Sequence, residues 1–132
     1  MGASPYEYFV PFEQDTHAAL EKLRQRVFAS GDYATADMNP ATPEEALELG
    51  DADGTASILD IERVAEQPDF CCAAPYSADE LENYFGTQTP TRGDLEIGDG
   101  FWDEIERGHA RIIPLFEGGQ AKELCFVGYS FD

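Results

Sequence analysis

Residues 110–131, ARIIPLFEGGQAKELCFVGYSF, carry the clearest extended signal in the chain, and the fold follows from how they are read. Two apolar runs rich in β-branched and aromatic residues, 110–117 and 122–131, flank Gly118-Gly119-Gln120, a connection with the length and glycine content of a hairpin. Pro114 has no N–H to give a ladder, so the first strand is expected at an edge or with a bulge. The second, ELCFVGYSF, is apolar enough to run through the middle of a sheet. Such a pair needs further strands and helices to cover it, and the rest of the chain supplies them.

At the N-terminal side, Tyr6, Tyr8, Val10 and Phe12 alternate with Glu7, Phe9 and Pro11, the period of a half-buried strand ending at an edge or exit. Asp15 or Thr16 then caps a helix to Ser30, with Leu20, Leu23, Val27 and Phe28 on its inner stripe and Gly31 as its stop. Lys22, Arg24 and Arg26 are read as its solvated outer face, pairing with the protein's own acidic half. Thr42-Pro43-Glu44-Glu45 combines an N-cap, a first-turn proline and a capping-box Glu, so a short second helix reaches about Leu49 before Gly50. Ser77-Ala78-Asp79-Glu80 opens a third, with Leu81, Tyr84 and Phe85 inward and Gly86 as its end. Residues 87–93 read as a Thr/Pro loop, 94–100 as irregular or a single turn, and 101–107 as a two-turn helix burying Phe101, Trp102 and Ile105.

Between these lies GTASILDIERV, residues 54–64. As a strand it is rich in β-branched residues but alternates poorly; as a helix it has Ser57 as N-cap and stacks Ile58, Ile61 and Ala65. The strand over 57–61, followed by a loop to Pro68, is the preferred reading. Asp51-Ala52-Asp53-Gly54 before it is read as a turn, since a calcium loop in that register would begin on Leu49 and end on Asp60 in place of a bidentate Glu. Residues 70–74 read as a short buried strand with Cys71 and Cys72 pointing to opposite faces, only one of them toward the core. The expected order is β-α-α-β-β-α-α-β-β in one domain: an α+β fold with a mainly antiparallel sheet and helices packed on one face.

Three stretches, SPYEYFVPF (4–12), GTASILDI (54–61) and GYSFD (128–132), together resemble a family of short uncharacterised bacterial proteins. The resemblance covers both ends and the middle of the chain and brings no activity to any residue.

The chain has 132 residues, with 27 acidic against 8 basic and a formal net charge of −19. Residues 1–40 carry six acids and three bases, 41–106 eighteen and two, and 107–132 three of each. The acidity therefore belongs to the middle segment. Such a field repels nucleic acid and anionic membrane and steers a basic protein partner toward it. The start of the chain lacks a leader pattern and no run is long enough for a membrane span, so a cytoplasmic protein is expected. Three cysteines, Cys71, Cys72 and Cys125, are an odd set for a disulfide framework and suit a reducing compartment. His17 and His109 are the two histidines; Glu106 and His109 have a metal half-site spacing but Gly108 interrupts it, and no nucleophile, phosphate-loop or zinc signature is present. No cofactor, metal or catalytic residue is assigned.

These features favour a small acidic binding protein, such as an inhibitor or immunity protein that neutralises a basic toxin. Its carboxylates on 42–69 and 94–106 would face the partner, with Asp51, Asp53, Asp60 and Glu62 at the contact. One alternative is a small enzyme using carboxylates, with a divalent metal or a histidine, for acid/base chemistry. The other is a housekeeping protein of a salt-adapted or GC-rich host.

Overall fold

The computed structural model describes residues 4–131. Residues 1–3, on which part of the leader expectation rests, and residue 132, the last of GYSFD, lie outside the described residues. The chain runs β1 (Pro5–Pro11), α1 (Thr16–Ser30), α2 (Pro43–Gly50), β2 (Arg63–Val64), β3 (Cys72–Pro75), α3 (Ala78–Phe85), α4 (Arg92–Ile97), β4 (Ala110–Glu117) and β5 (Gln120–Tyr129). Single 3-10 segments lie at Ala36–Met38, Asp51–Asp53, Ile58–Asp60 and Gly100–Glu104.

The strands form one mixed sheet in the order β1-β5-β4-β3-β2. β5 is central, as its composition demands, and pairs antiparallel with β1 from Pro5↔Tyr129 to Pro11↔Glu123 and with β4 from Ala110↔Gly128 to Glu117↔Gln120. β3 and β2 extend the sheet by shorter parallel pairings. Most of the ladder is therefore antiparallel, and the α+β expectation holds. The hairpin turns on Gly118 (φ 59°) and Gly119 (φ 79°). Positive φ at both central residues is the turn whose twist matches that of the strands, and two adjacent glycines adopt it without a Cβ clash. β4 is not an edge strand. It carries a bulge between Leu115 and Phe116, and beyond Ile112 it has outrun β3, so the missing N–H of Pro114 interrupts no parallel pairing.

The helices cover both faces of the sheet, where the sequence pattern placed them on one. Tyr6 and Val10 of β1, Ala110 and Ile112 of β4, and Leu124 and Phe126 of β5 pack against Leu20, Leu23 and Val27 of α1, Ala46 of α2, and Ile58, Leu59 and Ile61. The alternate residues Ile113, Leu115, Cys125 and Val127 pack against Leu81 of α3, Leu95 of α4, Phe101 and Ile105. With period-two alternation, β4 and β5 bury side chains on both sides, which is possible only if each side is roofed.

α1 has the expected limits, with the Asp15 carboxylate accepting from the N–H groups of His17 (3.0 Å) and Ala18 (3.1 Å). Arg24 departs from the expected outer face. It is 2% exposed and reaches across to α2, bonding Glu21 (3.2 Å) and Glu44 (3.3 Å). α2 and α3 begin at their predicted caps, Thr42 and Ser77. α4 is longer than anticipated: residues 92–97, split between an expected loop and a segment read as irregular or a single turn, are helical behind a capping box of Thr91 and Asp94. Conversely, the helix expected over 101–107 is a 3-10 segment, Gly100–Glu104, with Ile105 already extended.

The strand expected over 57–61 is likewise a 3-10 turn, Ile58–Asp60, and the neighbouring strand falls later, at Arg63–Val64. A strand would send Ile58 and Leu59 to opposite faces, yet both join the same apolar cluster as Ile61. The turn makes that possible. β3 also starts later than expected, and both Cys71 and Cys72 are buried. Among the described residues no helix is long and apolar enough to cross a membrane.

Candidate functional site

The stretch after α2 builds a buried polar knot whose outer surface is acidic. Thr55, Ser57 and Asp60 are all fully buried. Asp60 Oδ1 accepts from the Thr55 N–H (2.6 Å) and from Thr55 Oγ1 (2.7 Å), Thr55 Oγ1 lies 2.8 Å from Ser57 Oγ, and Ser57 Oγ accepts from the Leu59 N–H (3.1 Å). A buried carboxylate is tolerated only when such donors replace water. Ser and Asp side chains that bond nearby N–H groups draw the backbone out of a strand, which is why 57–61 turns. Gly54 (φ 69°) closes the knot: a Cβ there would lie 2.8 Å from Asp60 Oδ1 and 3.0 Å from the Phe131 ring.

Of the four residues singled out as a partner contact, Asp51, Asp53 and Glu62 are exposed and Asp60 is not. Asp60 is thus a scaffold residue: its oxygens face the interior of the knot and cannot meet a docked cation. Asp51 and Asp53 stand on the 3-10 turn Asp51–Asp53 that ends α2, and Glu62 follows Ile61 immediately before β2. None of these three has an ion-pair partner among the described residues.

Composition did not disclose the aromatic element beside them. Phe70, 54% exposed, stacks on Phe131 with ring centroids 4.8 Å apart, and Phe131 in turn rests on Gly54. The pair therefore closes over Gly54, next in the chain to Asp53; Phe70 itself follows Asp69, and the Glu62 N–H bonds the carbonyl of Cys71 (2.8 Å). Phe70 read as one residue of a buried strand; its exposure follows from the turn at Cys71, which has φ 61° and directs the chain into β3 only from Cys72.

The segments 42–69 and 94–106 do not form one surface. α2 and its following turns cover one face of the sheet, α4 and Gly100–Glu104 the other. Their carboxylates are nevertheless outward on both: apart from Asp60, Glu80 and Asp94, every acid between 41 and 106 is exposed. Among the described residues only Glu44, Asp69 and Glu80 of that segment are ion-paired, with Arg24, Arg63 and Arg111.

The nucleophile candidates are poorly placed for that chemistry. Burial, reinforced by the charge and hydrogen bond of Glu62, pushes the Cys71 thiol up to about 12, and burial also raises Cys72 and Cys125. All three are protonated near neutral pH, whereas a thiol nucleophile needs the thiolate. His17 is exposed on α1 and His109 is half-buried just before β4. Among the described residues no group of three or more His, Cys, Asp or Glu side chains is gathered to hold a metal ion. No protein-family model, curated protein or solved structure matches the chain.

Proposed function

We propose that this chain is a small acidic binding protein that docks on and neutralises a basic protein, as an inhibitor or immunity protein does. The observation that carries the reading is the stacked Phe70–Phe131 pair, with Phe70 half in solvent, on a stretch whose chain neighbours Asp53, Glu62 and Asp69 are exposed acids. An exposed aromatic with an acidic rim is the makeup of an interface anchor: the ring provides desolvated contact, and the charges steer and orient a cationic partner. The knot beneath keeps the pair rigid, so little ordering opposes binding.

The test is capture of basic proteins from a bacterial extract at low salt by the wild-type chain, followed by association kinetics with the captured protein. Phe70→Ala is expected to raise the dissociation rate roughly tenfold or more. Asp51→Asn/Asp53→Asn/Glu62→Gln should slow association and flatten its salt dependence. A partner whose rates are indifferent to both variants binds elsewhere, and the reading falls.

A further inference from the structure

On the other face of the sheet, a cavity of about 310 Å³ opens where α4 and the Gly100–Glu104 segment overhang the edge strand β1. It is lined by Phe9, Leu95 and Trp102, by the acids Glu7 from β1, Glu96 from α4 and Asp99, and by Arg92 of α4. We infer that this pocket receives the guanidinium of an arginine side chain presented by a basic protein. The proposal rests on the reading above for the source of the arginine, but on separate residues for its geometry.

The rings are preorganised. Trp102 stacks on Phe101 at 5.3 Å and meets Tyr129 edge-on at 5.4 Å, so its orientation is set before any ligand arrives. Phe9 already holds one guanidinium: the Arg92 side chain lies 3.6 Å from its ring centroid. Arg92 lines the pocket as well, with its Nε and Nη2 committed to the two carboxylate oxygens of Glu123, each at 2.8 Å; Glu7 also acts on its charge, and the three carboxylates of the pocket outnumber it. Glu7, Glu96 and Asp99 have no ion-pair partner among the described residues. A planar cation that stacks on an aromatic face and donates in a fork to carboxylates matches this set better than a compact ammonium.

Trp102 is the chain's one tryptophan, so its fluorescence reports on this pocket directly. The probe is L-argininamide, titrated at constant ionic strength beside glycinamide as a cation without the guanidinium. A saturable change in emission with argininamide and none with glycinamide is expected, and Glu96→Gln/Asp99→Asn should weaken it roughly tenfold while far-UV circular dichroism stays unchanged. Should that double variant fail to fold, Glu7→Gln on β1 is expected to weaken binding by a few fold. The inference is overturned if glycinamide reproduces the change, if argininamide leaves the emission flat, or if folded variants bind as the wild type does. Failure here leaves capture through Phe70 intact, whereas capture indifferent to Phe70→Ala with a normal argininamide titration overturns the docking surface and spares the pocket.

Discussion

Tyr6 shows how far a single residue can be read. Its place on the buried face of β1 follows from the alternation of residues 6–12, and it is 7% exposed as that pattern requires. Nothing in the pattern says where its hydroxyl goes. Among the described residues that oxygen has no hydrogen-bond partner, and burial, then the charge of Asp60, holds the phenol well above its ordinary value. An unsatisfied buried hydroxyl costs stability, so Tyr6→Phe is expected to leave the urea midpoint unchanged or raise stability by up to about 1 kcal/mol. A loss larger than that would reveal a hydrogen bond to this group. Asp60 is the opposite case: Asp60→Ala strips both bonds from Thr55 and opens the knot, and a loss of about 2–4 kcal/mol is expected in the same measurement. Its spacing from Ser57 was visible in GTASILDIERV; that the carboxylate faces inward depends on Gly54 and Phe131 closing over it.

At the level of elements, legibility followed the strength of local chemistry. α1, α2 and α3 have side-chain caps and an apolar stripe, and each begins where its cap predicts. α4 has an equally good capping box, but only six residues follow it before Gly98, too few for a periodicity to register against the Thr- and Pro-rich loop. The order of major elements matches expectation, although the second strand comes from Arg63–Val64 and the fourth helix from Arg92–Ile97. Arg24 illustrates an inter-element contact that no helical pattern reveals. Its guanidinium is buried between α1 and α2, with side-chain exposure of 3% against 65% for its partner Glu44. Arg24→Ala removes the bonds and the packing of the long stem, and should cost about 2–4 kcal/mol by chemical denaturation. Arg24→Met, which keeps the stem's volume, should cost less than half as much. Equal losses would show that the charge rather than the packing joins the two helices.

For the whole molecule, a formal charge of −19, with most middle-segment carboxylates outside any ion pair among the described residues, makes self-repulsion the dominant long-range term. Sodium chloride screens it, and the melting temperature is expected to rise by a few degrees between about 20 mM and 500 mM. A fall would mean that the ion pairs outweigh the repulsion. Alkaline pH acts the other way. Cys71 moves from 9.0 to about 12 and Tyr84 from 10.0 to about 12, in both cases chiefly through burial. Between those values the unfolded chain has released protons that the folded one retains, so stability is full below about pH 9 and falls as pH rises toward 12. Urea midpoints near pH 7.5, 9 and 10.5 measure this directly. Sequence by itself determined the α+β class, the central β5, three capped helices and the acidic middle, because caps, turn glycines and periodicity act within a few residues. Tertiary structure alone decided that helices roof both faces, that Asp60 and Arg24 go inside, that Phe70 stacks on Phe131 half in solvent, and that Trp102 shares a pocket with three acids. Each of those outcomes depends on contacts between residues distant along the chain, which no local pattern encodes.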